Sequence, residues 1–404
     1  MVLKLAWRNI WRNKRRTGIT LAMTIFAVVL STLMMSIKEG VYENMISSTA
    51  GDFSGYAQVH SNGYWEDKSL DLAFELTDSL EQKITNTNNV EGFMPRVDGF
   101  ALAAVDNVSK GSMVIGIDVE KEKTFHGLDK RVSEGTYLTA NDDAIMIGDG
   151  LASHLKLTIN DTLVLLGAGY HGMSAVGKYP IKAIVKFGSP ELSKQLVFMP
   201  MKAAGMFFAT DQLITTIVLK TKNSNNGINA ANSLTQKLNE KYEVMNWKQM
   251  NPELVTMIEA DKSEGYVFMF ILYMVIGFGI FGTMLMMLAE RKREFGVLVA
   301  VGMKRIKLSI MVWVEILTVS ILGAILGLLA AFPVCYYFFT NPIQYGEEIT
   351  EMAEEYGMEA VLRASLAPHL FLEQALIIAI IASVIAIYPF IKLQRINAVK
   401  EMRS

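Results

Sequence analysis

The chain has 404 residues, 51% of them hydrophobic and 19% charged, with a formal net charge of −2 at pH 7. Soluble domains average about 45–50% apolar and about 25% charged residues, so this balance argues against a wholly soluble protein and gives no sign of a nucleic-acid partner. With Cys335 as its only cysteine, an intramolecular disulfide is excluded.

Residues 1–16 place Leu3, Trp7, Ile10 and Trp11 on one helical face and Lys4, Arg8 and Arg12 on another, which suits a helix among lipid headgroups or a charged helix end. Residues 19–37 read ITLAMTIFAVVLSTLMMSI without a charge, and 17–37 is expected as a first membrane span. The run exceeds the roughly 7–15 residues of a signal-peptide core and no small-x-small site closes it, so it is expected to stay uncleaved. Further apolar runs at 266–289, 308–339 and 370–391 complete four spans. Each supplies the roughly 20 residues that a helix rising ~1.5 Å per residue needs to cross ~30 Å of hydrocarbon.

Between the first two spans, 38–263 reads as a mixed α and β domain. Strand-like 56–61, helical 72–84 and strand-like 92–105 are echoed near its end by β-rich 213–220, helical 228–238 and strand-like 242–247. Two strand-helix-strand halves, 38–119 and 209–250, therefore bracket a middle. That middle, 120–208, is punctuated by Gly135, Gly148, Asn160-Asp161, Gly167, Gly169, Gly172, Gly177 and Pro180, and is expected to be an inserted β-rich module. The fold class is thus a four-helix membrane domain plus an extracytoplasmic α+β domain.

Basic residues mark the cytoplasmic flanks. Six precede the first span (Lys4, Arg8, Arg12, Lys14, Arg15, Arg16), and the connection 290–307 and the tail 392–404 are also basic, which puts both termini inside. The connection 340–368 carries Glu347, Glu348, Glu351, Glu354, Glu355 and Glu359 against Arg363, so it belongs outside with the large domain.

No G-x-x-x-x-G-K-[ST] occurs, so the chain has no phosphate-cradling P-loop. Gly277, Gly279 and Gly282 spell G-x-G-x-x-G inside an apolar span with no preceding strand. They read, like Gly323 and Gly327, as small residues that let membrane helices approach. His60, His126, His154, His171 and His369 lack ligand spacing, so no metal site is expected. Glu315 falls inside the third span, where a lipid-facing carboxylate costs at least ~2.5–3.5 kcal/mol. It either pairs with a headgroup-level base such as Lys307 or serves transport. In 290–307, Phe295, Leu298, Val299 and Gly302 recur at i, i+3, i+4 and i+7, giving a short amphipathic helix that rests on the membrane or docks into a cytoplasmic partner.

The stretch ERKREFGVLVAVGMKR resembles the ER-x-x-EFG-x-L-x-A-x-G pattern of ABC transporter permeases in the MacB, FtsX and LolC/LolE group. WRNIWRNKRRT at the start, IMIGDGLASHLKLTINDTLVLL, Glu315 ahead of a Gly-rich span and the ending YPFIKLQRINAVKEMR extend the resemblance over nearly the whole chain. Asn160 replaces the usual Gly before Asp161, and Asn397 stands where the family often has Pro. The resemblance implies a porter-like outer domain and a permease dimer, as a homodimer or with a homologous chain. It also implies ATP and magnesium held by a partner ATPase, whose dimerisation moves the outer domain. Glu294, Phe295, Gly296, Leu298 and Gly302, with Lys304 and Arg305 closing the stretch, match the ATPase-coupling positions. YEVMNWKQMNPELVTMIE and the acidic 344–363 resemble the LolC/LolE branch, which implies release of lipoproteins from an inner membrane to a periplasmic carrier. An apolar vestibule for the acyl chains would then draw on Phe268, Phe270, Met274 and Phe278, a stripe that equally suits helix packing. A MacB-like efflux permease and an FtsX-like regulator of a cell-wall hydrolase are the rival readings.

The charge asymmetry makes a direct prediction: cysteines at positions 225 and 354 should react with a membrane-impermeant thiol reagent in spheroplasts, and one at position 304 should not. Labelling confined to position 304 overturns the orientation.

Overall fold

The computed structural model describes residues 12, 14–187, 190–344, 346 and 361–395. The face formed by Leu3, Trp7, Ile10 and Trp11, the acidic run from Glu347 to Glu359 and the tail beyond Arg395 lie outside the described residues. Two compact units divide the chain. Among the described residues, those within 12–42, 258–343 and 361–395 form a helical unit, and those within 43–257 form a unit built on a sheet.

Helix α1 (Lys14–Ile46) carries the charge-free run and is followed by a wide helical turn over Ser47–Ser54. Then come β1 (Ala57–Ser61), α2 (Asp78–Thr85), β2 (Gly92–Val105), β3 (Val108–Ile117), α3 (Val119–His126), β4 (Val132–Gly135), β5 (Ile145–Gly148) and α4 (Asp149–Leu155). They are succeeded by β6 (Thr162–Ala168), β7 (Ser174–Val185), β8 (Leu196–Pro200), α5 (Met201–Phe208), β9 (Thr216–Lys220), α6 (Ser224–Lys237) and β10 (Tyr242–Asn246). These strands form one mixed sheet in the order β10-β1-β9-β2-β3-β8-β5-β7-β4, with β6 pairing β2 and β7.

The two ends of this region pair with each other. β1 lies between β10 and β9, antiparallel to both, with Ala57 opposite Asn246 and Gln58 opposite Val218. All five of its residues are buried, as a strand covered on both faces requires. The helical pattern read from 72 becomes a helix only at Asp78. Phe74 first bridges Ile214, and the helix starts where Thr77 Oγ1 accepts from the Leu80 amide at 3.4 Å.

The middle is β-rich, but its strands continue the same sheet. β2 pairs β9 over Gly92–Arg96, β6 over Ala101–Ala104 and β3 from Arg96 to Val105. One core therefore extends from Val59 and Leu80 through Val97 to Leu165, Val197 and Phe208. Helix α5 lies close on β2 and β3 because two glycines admit it. A Cβ at Gly116 would fall 2.3 Å from Ala204 Cβ, and one at Gly99 2.5 Å from the Phe208 ring.

The helical unit continues with α7 (Pro252–Glu290), α8 (Lys292–Ala300), α9 (Arg305–Thr340), α10 (Pro368–Ile385) and α11 (Ile387–Gln394). Four stretches, Thr17–Gly51, Pro252–Glu290, Arg305–Thr340 and Pro368–Gln394, are long and apolar enough to cross a membrane. Gly323 and Gly327 of α9 face Thr24 and Val28 of α1, where an added Cβ would come within 2.8 and 2.7 Å. They provide close helix approach, as expected of small residues in spans. Polar ties supplement this packing: Tyr273 Oη donates to Gln374 Oε1 at 2.7 Å, and Lys38 Nζ reaches Asp261 at 2.9 Å.

Inside the sheet unit, Arg96 of β2 is buried against α3. Its Nε donates to Glu122 Oε1 at 2.6 Å, its Nη1 to the Phe53 carbonyl at 2.7 Å, and its Nη2 lies 3.2 Å from His126 Nδ1. Burial works to protonate Glu122, but the Arg96 charge, with the His126 and Arg96 hydrogen bonds, prevails and holds the carboxyl at about 2 against its ordinary 4.5. Burial also lowers the His126 pKa, and His126 Nδ1 donates to Glu122 Oε2 at 3.1 Å. Because the folded carboxyl is more acidic than the unfolded one, its stabilisation is complete above about pH 4.5 and is lost as the pH falls toward 2. Glu122→Gln leaves the guanidinium without its counter-charge and should destabilise the unit by ~3–5 kcal/mol at pH 7. It should also flatten the loss of stability between those pH values. Thermal unfolding followed by Trp fluorescence checks both effects, and an unchanged midpoint with an unchanged acid slope refutes them.

Candidate functional site

The connection between the second and third long helices is compact. α7 stops at Glu290, and Arg291 leaves helical geometry with φ −100° and ψ 12° before α8 begins. At its far end Gly302 takes φ +103°, a left-handed-side conformation that glycine adopts without strain. The Met303 amide then donates to the Leu298 carbonyl at 3.0 Å and the Gly302 amide to the Val299 carbonyl at 3.1 Å, closing α8 with a Schellman motif. Gly302 was expected on the apolar stripe; it is the helix terminator instead. Lys304, exposed, immediately precedes α9 without a side-chain capping bond, and the exposed Arg305 donates from Nη1 to the Gln394 carbonyl at 3.4 Å.

Arg291 organises this end of the unit. It is buried, its Nη1 contacts Glu315 Oε2 at 2.8 Å and Oε1 at 3.1 Å, and its Nε donates to Glu294 Oε2 at 3.0 Å. Its guanidinium carbon sits 5.0 Å from the Phe295 ring centroid. Glu315, expected to pair with a base such as Lys307 or to act in transport, is thus paired with Arg291. Glu294 also accepts from Arg12. Partial burial works to raise the Glu294 pKa, but hydrogen bonds from Arg12 and Arg291 outweigh it and hold the carboxyl below its ordinary value.

Phe295 requires a correction. The stripe was expected to rest on the membrane or to dock into a cytoplasmic partner, yet Phe295 is 1% exposed. It belongs to a cluster with Met284, Met287, Leu308, Met311, Val312 and Leu393, against which Leu298 and Val299 also pack. Gly296 is buried too. The outward face of α8 is the opposite one, with Val297 48% and Val301 83% exposed beside the exposed Arg293 and Lys304. The periodicity located the stripe but could not say which side was covered.

Phe268, Phe270, Met274 and Phe278 are all exposed on α7. None borders the cavity of about 40 Å³ beside Glu315, which Thr17, Thr20 and Thr283 help line and which has room for water. Arg291 itself had registered only as one more basic residue. The signal that marks it is its place directly after an apolar run, with a lone carboxylate in the next span.

The family model for the MacB-like periplasmic core domain matches residues 17–237, more than half of the chain. The chain belongs to this family. The FtsX-like permease C-terminal model matches residues 266–398 of the permease, so the assignment reaches the MacB/FtsX/LolC group as a whole. The macrolide export ATP-binding/permease protein MacB of Burkholderia pseudomallei is 21% identical over 350 residues, covering 83% of this chain and 52% of that protein. The lipoprotein-releasing system transmembrane protein LolC of Xylella fastidiosa is 19% identical over 320 residues, covering 77% and 73%. Among solved structures, the periplasmic region of MacB from Actinobacillus actinomycetemcomitans matches with a TM-score of 0.35 and 13% identity, covering 52% of this chain and 97% of that one. The permease spans about half the length of the MacB proteins it matches.

The Arg291 and Glu315 pair yields a prediction about the permease. Arg291→Met leaves a buried carboxylate without this partner and should cost ~3–5 kcal/mol, whereas Arg291→Met combined with Glu315→Leu should recover most of that loss. Thermal melting of helical circular dichroism in detergent reads the difference. Additive losses in the double variant disprove the coupling.

Proposed function

We propose that this permease transmits the work of ATP hydrolysis by a separate ATPase subunit to its extracytoplasmic domain, and that the force enters at α8. The carrying observation is the two-sidedness of that helix. Phe295 and Arg291 fasten it to α7 and α9, while Val297 and Val301 offer an apolar surface among cations to a partner. A helix seated that way moves with its spans when pushed. In this reading ATP and magnesium are bound by that ATPase subunit; the 404 residues themselves contain no phosphate-cradling loop. The permease works as a dimer, in a bacterial inner membrane, with both termini cytoplasmic and residues 38–263 periplasmic as porter-like halves around an inserted module.

Release of lipoproteins to a periplasmic carrier is the cargo reading. Its support is the resemblance of 242–259 and 344–363 to the LolC/LolE branch, together with a LolC relative matched over 73% of its length. MacB-like efflux is the second reading, supported by MacB relatives that cover 83% of this chain.

Val297→Asp with Val301→Asp should abolish copurification of the ATPase and leave the permease inserted, with unchanged melting. Phe295→Ala should destabilise the permease itself, by ~3–5 kcal/mol for a buried Phe. The permease alone should hydrolyse no ATP. A double Asp variant that still binds its ATPase and supports stimulated turnover refutes the docking face.

A further inference from the structure

The sheet unit holds a groove of about 1310 Å³, more than the roughly 300–1,000 Å³ of small-molecule sites. Its walls come from the chain before α2, the start of α3, the first turns of α5 and the loop after α5. A two-way backbone bridge between Phe74 and Ile214, at 2.8 and 2.9 Å, joins the first and last of these and brings Glu75 and Asp211 to one lining. Carboxylates outnumber cations there, with Glu75, Asp118 and Asp211 against Lys202. Asp118 is engaged, accepting from the Lys121 amide at 3.1 Å, whereas Glu75 and Asp211 are exposed and form no ion pair among the described residues. The apolar lining is uncovered in part, Met206 being 66% exposed.

The loop that carries Asp211 is held in an unfavourable shape. Ala209 and Asp211 take φ +55° and +52°, in the left-handed region, and between them Thr210 is buried with an Oγ1 that has no hydrogen-bond partner among the described residues. The Gly205 carbonyl fixes the loop by accepting from the Thr210 and Asp211 amides at 3.0 and 3.4 Å, and a Cβ at Gly205 would fall 2.3 Å from the Asp211 carbonyl oxygen. Backbone strain of this kind gathers at ligand sites, where it sets a side chain in place in advance.

We propose that this groove receives a basic, partly apolar segment of another polypeptide. The spread of the charge selects it. No three carboxylate, histidine or cysteine side chains among the described residues gather closely enough to hold a metal ion, so a single cation does not meet the lining as a whole. A chain with lysine or arginine at intervals does, and its apolar residues find Met206, whose flexible thioether adapts to varied side chains. Anionic lipids and nucleic acids meet repulsion from the same carboxylates. Nothing in this depends on α8 or on the cargo reading, since all the lining residues belong to the sheet unit.

Fluorescence anisotropy of the full chain in phosphatidylcholine nanodiscs tests this with a labelled peptide of alternating lysine and leucine, set against one of alternating glutamate and leucine and against empty nanodiscs. The parent should bind the lysine peptide alone, and more weakly as salt rises. Glu75→Gln with Asp211→Asn, asparagine being at ease in the left-handed region, should weaken binding roughly tenfold, since each exposed charge attraction contributes a few-fold. Lys202→Glu should tighten it. Glu91→Gln with Glu240→Gln makes the same charge change at exposed positions outside the groove and should leave the affinity unaltered. A photo-crosslinking residue at position 206 should capture the peptide. Equal binding of both peptides, equal loss in the two double variants, or displacement by an equal concentration of spermine overturns the proposal.

Discussion

A guanidinium one residue beyond an apolar helix must either reach water or find its compensation inside the protein, because moving such a charge out of water is unfavourable by several kcal/mol. Arg291 takes the second course, with Glu315, Glu294 and the Phe295 ring as its compensation. Those partners sit on α9 and α8, so satisfying one side chain fixes the mutual placement of α7, α8 and α9. The orientation of α8 follows. With Phe295 turned into the bundle, Val297 and Val301, which lie on other sides of the helical turn, face away.

The sheet unit uses a related device. Arg96, buried on β2, gathers Glu122 and His126 from one turn of α3 together with the Phe53 carbonyl. It does so at the point where β2 stops pairing β9 and begins pairing β3. A strand shared by both parts of the sheet gains from such a pin, since its register serves two sets of neighbours. In each unit, a buried arginine with carboxylate partners helps to set the pose of a short helix.

Much of this was legible beforehand, for identifiable reasons. Charge-free runs of twenty residues have few alternatives to spanning helices, and the glycines at 323 and 327 could be read as contact points because membrane packing needs small residues. The strands at both ends of the sheet unit were visible from alternation and β-branched content. Their mutual pairing was not, since β1 and β10 meet across nearly the whole domain. On α8 the same i, i+3, i+4 spacing describes a stripe that faces a partner and one that faces its own bundle. Burial of Phe295 resolves that ambiguity in the second sense, and no periodicity could have done so. Glu315 was recognised as unusual from its place in a span. Its partner was missed because ion pairs between helices leave no spacing signature.

The two faces of α8 also separate two kinds of change over evolutionary time. Residues that keep the helix in place, such as Arg291 and Phe295, are held by folding, so nearly any replacement there is felt before a partner is met. Val297 and Val301, two and six positions beyond Phe295, are exposed and carry no such constraint. A duplicated copy of this chain could therefore vary this outer face, one substitution at a time, without passing through an unstable intermediate.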